Sequence, residues 1–199
     1  MINRVVLASR SPRRKDILQQ LDIDFVIDPP NIDETPHPNE AALQYVQRIS
    51  AAKADLVAQR HPQHCLVIAA DTTVELDGEI FGQPQDLDEA RAMLTRLTSQ
   101  LFDRTHNVHT AVSVRYDGHC LDGVESASVT MRRFTDELLN WYLSTGESLG
   151  KAGAYAVQGH GSALVVALTG DLSTVVGLPV ALLTSLIAQC GIDLASLQS

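Results

Sequence analysis

The chain is 199 residues long and carries 24 acidic against 15 basic side chains, for a formal net charge of −9 at neutral pH. That length suits one domain, or one domain with two lobes, and is enough to bury a real core. The acidic balance excludes a general nucleic-acid binder, which needs a broad basic surface to displace counterions, but it leaves room for a small anionic ligand held in a local positive pocket.

In chain order, Val5, Val6, Leu7 and Ala8 form an apolar run that reads as a short buried strand. It stops at Ser9-Arg10-Ser11, and Pro12 opens an amphipathic helix with Ile17, Leu18 and Leu21 on its apolar side. Proline suits a first helical position because its missing N–H would have no partner there. A strand thus feeds a helix N-terminus at a junction that carries serines and arginines, and free N–H groups and guanidinium forks meeting at one point suit a phosphate. A capped helix start on a solvated surface is the plainer alternative.

Residues 24–28 read as a second strand, and Pro29, Pro30, Pro36 and Pro38 punctuate a loop containing Asp33-Glu34. A helix is expected over about 39–60, with Ala42, Leu43, Val46, Ile49, Ala52 and Leu56 at helical spacing and Lys53 within it; His61-Pro62 ends it. Residues 65–70 are a continuous apolar run, read as a strand buried on both faces that ends at Asp71-Thr72-Thr73. Asp77-Gly78 between Val74-Glu75-Leu76 and Glu79-Ile80-Phe81 signals a hairpin. Further on, a helix is expected over 88–97, a strand over 108–116, a long strand or bulged pair over 120–133, a capped helix over 135–143, a strand over 162–169 and an apolar helix over 180–190. Trp141 is expected in the core. Hairpins interrupting the βαβ rhythm favour a mixed sheet over a doubly wound parallel one.

Asp71 is the strongest catalytic candidate: an ionised carboxylate beside a buried strand can bind Mg²⁺ or take a proton from water. A turn cap made with Thr72 and Thr73 is the alternative. Paired acids at Asp33-Glu34 could help hold a metal that bridges phosphates, or could simply be solvated. Lys53 is a surface ammonium by default and matters only if its helix face turns towards Arg13 and Asp71. The segment from Lys151 to Gly161 is rich in small residues that let backbone approach a ligand, and Gln158 there can donate and accept, as a base or ribose edge requires. His106 and His109 sit three apart in a predicted strand and therefore point to opposite faces, which argues against a shared zinc. Cys65, Cys120 and Cys190 are odd in number and lack metal-type spacing, so free thiols in a reducing, cytoplasmic setting are expected. No signal-like segment opens the sequence and no apolar stretch suits a bilayer span, so no membrane partner is expected.

Taken together, LASRSPRR (7–14), Asp33-Glu34, Ala52-Lys53-Ala54, Ala70-Asp71-Thr72, Thr105-His106, KAGAYAVQG (151–159) and VVGLP (175–179) resemble, in order, the motifs of the Maf family of nucleoside triphosphate pyrophosphatases. The resemblance spans nearly the whole chain. It implies a single domain over 1–199 of mixed α/β (α+β) class: a two-lobed mixed sheet flanked by helices, similar to inosine triphosphate pyrophosphatase, with a cleft between lobes. It implies hydrolysis of a nucleoside triphosphate to monophosphate and pyrophosphate with a divalent cation (Mg²⁺, Mn²⁺ or Co²⁺), and it suggests a homodimer. By position, Asp71 matches the proton acceptor and a metal ligand with Glu34; Ser9, Arg13, Arg14, Lys53 and Gln83 match substrate-binding positions; Arg13, Thr72 and Gln158 match those that govern substrate choice. These three favour the dTTP/UTP subfamily over the 7-methyl-GTP one, which has tryptophan after the proline and glutamine after the aspartate. Departures are Gln83 where the family has lysine, Asp171-Leu172 for Ser-Tyr, and a 98–104 segment longer than the family's Ser-Gly connection. The missing lysine charge keeps open a nucleotide-binding regulator of cell division with little catalysis.

Overall fold

The computed structural model describes residues 2–61, 64–98 and 104–198. The elements run β1 (Arg4–Leu7), α1 (Pro12–Gln20), β2 (Phe25–Ile27), α2 (Ala42–Ala58), β3 (Cys65–Leu76), β4 (Glu79–Phe81), α3 (Leu87–Leu97), β5 (Arg104–Tyr116), β6 (His119–Met131), α4 (Asp136–Ser144), β7 (Val165–Thr169), α5 (Leu172–Val176) and α6 (Val180–Gln189). The strands form a seven-stranded sheet in the order β2-β1-β3-β5-β6-β7, with β4 pairing β3. β1 is parallel to β2 and β3, whereas β3–β4 and β6–β7 are antiparallel. The sheet is therefore mixed, as the interrupting hairpins suggest.

The chain divides into two compact units. One comprises residues 1–71, 110–125 and 176–199; the other comprises 72–109 and 126–175. In the first, strand alternation sorts the core onto two faces. Val5, Leu7, Leu66, Ile68, Ala70, Val112 and Val114 cluster with Ile17 and Leu18 of α1 and Leu183, Leu186 and Ile187 of α6. The intervening Val6, Ala8, Cys65, Val67 and Ala69 cluster with Ala54 and Val57 of α2. Helices thus cover both faces of these strands, which is why residues 65–70 read as an unbroken apolar run. In the second unit, Val74, Leu76, Phe81, Val108, Val129 and Met131 pack with Ala90, Leu94 and Leu97 of α3 and Leu139, Tyr142 and Leu143 of α4. Truncating a fully buried leucine such as Leu66 or Leu94 would cost about 2–5 kcal/mol, through lost transfer energy and the cavity left behind.

Several expectations need correction, and β5 starts at Arg104 instead of residue 108. β3 does not end at Asp71 but runs on to Leu76, because Thr72, Thr73 and Val74 are β-branched and suit a pleated surface. β7 begins at Val165, not at residue 162: Gly159–Leu164 is wound as a 3-10 turn, where the Glu147 carboxylate accepts the backbone N–H groups of His160 (2.9 Å) and Gly161 (3.0 Å). Trp141 is 42% exposed. It follows Leu139 by two positions, which carries it across the helix from the apolar stripe, and its ring meets the His160 ring edge-on at 5.8 Å. Leu43 is also 42% exposed; the buried face of α2 runs instead through Ala42, Tyr45, Val46, Ile49, Ser50, Lys53, Ala54 and Val57. The expected alteration around 98–104 falls largely on residues 99–103, outside the described residues.

Helix starts follow their local chemistry. Pro12 occupies the first position of α1 after Ser11. Asp86 caps α3 by accepting from the Glu89 N–H at 2.8 Å, and Thr135 caps α4 by accepting from the Leu138 N–H at 3.3 Å. At the β3–β4 turn Asp77 and Gly78 both have positive φ, 54° and 82°, as a two-residue hairpin requires.

Candidate functional site

Strand parity decides which way Asp71 faces. Cys65, Val67 and Ala69 point to the α2 side of β3, so Asp71, two residues further, projects towards α2 as well. There it meets Lys53, whose Nζ donates to Asp71 Oδ1 at 2.7 Å. The same ammonium lies 3.0 Å from Glu34 Oε1. Lys53 is 7% exposed and Asp71 5%, so this cation and carboxylate face each other largely out of water, while the Glu34 side chain is about half exposed (49%). The lysine is thus no solvated helix charge. It bridges two carboxylates brought from a loop and a strand.

On the neighbouring strand-to-helix junction, Arg14 is buried. Its Nε donates to the Gly177 carbonyl at 2.8 Å and its Nη1 to Ser9 Oγ at 3.1 Å. Ser9 Oγ also accepts the Ser11 N–H at 3.1 Å, so one hydroxyl fixes both the loop and the guanidinium. Arg13 is partly buried beside it. Electrostatics tie these groups together. Burial pushes the Asp71 carboxyl above its ordinary range, against the pull of Lys53 and Arg14, and the Glu34 charge adds to the rise. Burial draws the Arg14 guanidinium down, opposed by Asp71 and Glu34 and reinforced by Arg13. Asp71 thus feels the charges of Lys53, Arg14 and Glu34, and Arg14 those of Asp71, Arg13 and Glu34.

Behind them the α2 face carries more polar groups. Ser113, on the α2 side of β5, accepts from the Ser50 hydroxyl at 2.9 Å, both hydroxyls being buried. Arg115, two residues on, reaches Asp55 (2.6 Å) and Asp122 (2.9 Å). Tyr45, Ser50 and the Gly177 carbonyl were missed as site residues in the sequence. The available signal was polar residues interrupting the buried stripe of α2 at positions 45, 50 and 53.

Thr72, Gln83 and Gln158 belong to the second unit. Thr72 follows Asp71 directly on β3 and is partly buried; Gln83 is exposed just past β4; Gln158 is exposed at the start of the 159–164 turn. In that unit His106 Nε2 pairs with the Tyr155 hydroxyl at 2.7 Å, and His109 Nδ1 with Ser126 Oγ at 2.7 Å. The two histidines thus engage different partners. Burial draws His106 down to about 4.

Among the described residues no three His, Cys, Asp or Glu side chains gather as a ligand set for a metal ion. Glu34 and Asp71, two hard carboxylate donors sharing one ammonium, fit an ion of the Mg²⁺ kind, which takes one or two carboxylates and completes its shell with water and substrate phosphates. Also among the described residues, no helix is long and apolar enough to cross a membrane.

Comparison with known proteins gives the family of the chain. A dTTP/UTP pyrophosphatase of Myxococcus xanthus (strain DK1622) is 47% identical over 190 residues, covering 96% of this chain and 94% of its own. One of Pyrococcus furiosus is 38% identical over 186 residues, covering 94% and 95%. A solved nucleoside-triphosphatase / dITP/XTP pyrophosphatase from Mycobacterium abscessus aligns over 98% of this chain and 97% of its own, at 16% identity and a TM-score of 0.46. The family described as Maf-like protein matches residues 4–190, from the first strand through the last helix, and this chain belongs to it.

Proposed function

We propose that this protein is a nucleoside triphosphate pyrophosphatase that hydrolyses dTTP and UTP to the monophosphate and pyrophosphate. The relatives carrying that name, at 47% and 43% identity over nearly the full chain, support the activity. The observation that carries the site is the Lys53 ammonium held between Asp71 and Glu34. An ammonium has three N–H donors; with two on these carboxylates, the third serves a phosphate oxygen. Arg13 and Arg14 add charge for the triphosphate, and the Ser9 and Gly177 contacts hold the Arg14 fork in one orientation, which suits a planar phosphate face. Asp71 takes a proton from water, the water oxygen bonds to the α-phosphorus, and the bond to the leaving pyrophosphate breaks. Its burial-raised pKa makes it a better base than an ordinary carboxylate. A divalent cation held by Glu34 and Asp71 would neutralise charge on the phosphates. Arg13, Thr72 and Gln158 are the positions proposed to select the base, and Gln83 is a neutral substrate contact.

The test is pyrophosphate release from a panel of dTTP, UTP, the other nucleoside triphosphates and 7-methyl-GTP with Mg²⁺, Mn²⁺ or Co²⁺. Preference for dTTP and UTP is expected. A preference for 7-methyl-GTP would overturn the specificity, and nucleotide binding without turnover under any of the three metals would overturn the catalytic reading.

A further inference from the structure

Fourteen residues separate β2 from α2, and none of residues 28–41 lies in a helix or strand. Connections of that length without regular structure are unusual in compact domains and tend to be functional. Glu34 sits in this segment with its side chain half exposed, so packing alone does not place its carboxylate. The backbone around it is tied down at consecutive carbonyls. Tyr45 Oη donates to the Glu34 carbonyl at 3.0 Å, and Arg48 Nη2 donates to the Thr35 carbonyl at 3.2 Å. Arg48 also forks onto Glu40, Nε to Oε1 at 2.6 Å and Nη2 to Oε2 at 2.7 Å. Glu40 Oε2 in turn accepts the His37 N–H at 2.9 Å. The Arg48 guanidinium lies 5.7 Å from the centre of the Tyr45 ring, so the two tethers brace each other.

Tyr45, Ile49 and Lys53 repeat every four residues and share one face of α2. The helix that carries the ammonium therefore also fixes the backbone that delivers Glu34 to it. We propose that Tyr45 and Arg48 are positioning residues: they clamp the Glu34–Thr35 backbone onto α2 and so set the distance between the Glu34 carboxylate and the Lys53–Asp71 pair. This inference rests on the proposed role of Glu34 in the reaction and adds the residues through which that role is set.

The experiment is a double-mutant cycle with exchange as an independent readout. Tyr45→Phe keeps the buried ring and removes only the hydroxyl. It is expected to lower kcat/KM for dTTP about 5- to 10-fold in the native background, the order of one lost hydrogen bond. In a Glu34→Gln background the same change is expected to cost less than about 2-fold, because it acts through Glu34. Separately, Arg48→Met is expected to speed hydrogen exchange of the His37 amide relative to amides of β3. An equal loss from Tyr45→Phe in both backgrounds, or unchanged exchange in Arg48→Met, would overturn the clamp while leaving the site standing. A Glu34→Gln protein with native activity would instead overturn the role of Glu34 itself, and the clamp's catalytic purpose with it.

Discussion

Replacing Asp71 by asparagine removes the proposed base, and one of the two carboxylates proposed to hold the cation, while leaving the basic side chains in place. The amide has the same shape and its oxygen still accepts from Lys53 Nζ, which sits 2.7 Å from Asp71 Oδ1 and keeps Glu34 at 3.0 Å. Two effects on stability oppose each other: a desolvated carboxylate is removed, and a buried ammonium loses one of its two anions. The net change should stay within about 2 kcal/mol, or a few degrees in Tm at about 2–4 °C per kcal/mol for a chain of this size. Arg13, Arg14 and Lys53 are untouched, so KM for dTTP measured at saturating divalent cation should move little. The general base is lost, so kcat should fall about 10²- to 10⁴-fold. Steady-state pyrophosphate release reads both constants. The pH profile gives a second check. Burial raises the Asp71 pKa, so native activity is present above a pKa higher than that of an ordinary carboxylate and is lost as the pH falls through it. The residual activity of Asp71→Asn should lack that acid limb. A kcat within 3-fold of native (about 0.7 kcal/mol), or an unchanged acid limb, would refute Asp71 as the base.

Two further outcomes concern the second unit. The unfolded chain protonates His106 near its ordinary value, whereas burial holds the folded value down to about 4, so the folded state is destabilised progressively as the pH falls from about 6.5 to about 4. His106→Gln should therefore lose about 2 kcal/mol less than the native protein between pH 7 and pH 5, measured as the shift in urea midpoint; parallel losses would contradict the buried neutral imidazole. Gly161→Ala would place a methyl carbon 2.0 Å from the Ala156 carbonyl oxygen. Overpacking of this kind costs about 1–3 kcal/mol, so thermal melts should show Tm lowered by roughly 2–12 °C, and an unchanged Tm would mean that the 156–161 turn is not packed as described.

The strands and most helices are legible in the sequence because their patterns are local. Residues 65–70 are apolar on both faces, the 77–78 turn has its own backbone preference, and Pro12, Asp86 and Thr135 mark helix starts. Asp71 stands out for its residue type beside an apolar run, although β3 passes through it instead of ending there. The motifs point to Arg14 and Lys53, but not to the contacts that orient them, since the Gly177 carbonyl lies 163 residues from Arg14. Ranking α2 positions by hydrophobicity favours Leu43 and passes over Tyr45 and Ser50; the helix buries the latter because its inner face meets hydroxyls and carbonyls as well as hydrocarbon. Trp141 shows the reverse error, where side-chain size suggests the interior and angular position on α4 dictates the surface.

The long reach from Arg14 to Gly177 orders events during biosynthesis. A ribosome adding about 5–20 residues per second needs roughly 8–30 s to travel between those codons, and throughout that interval the guanidinium lacks the carbonyl that accepts from its Nε. The residues of β1, α2 and β3 are all made early, yet the contact that orients Arg14 through its Nε can close only near the end of translation. A product terminated between residues 71 and 177 keeps every acidic and basic group of the constellation but not the carbonyl that aims one of them.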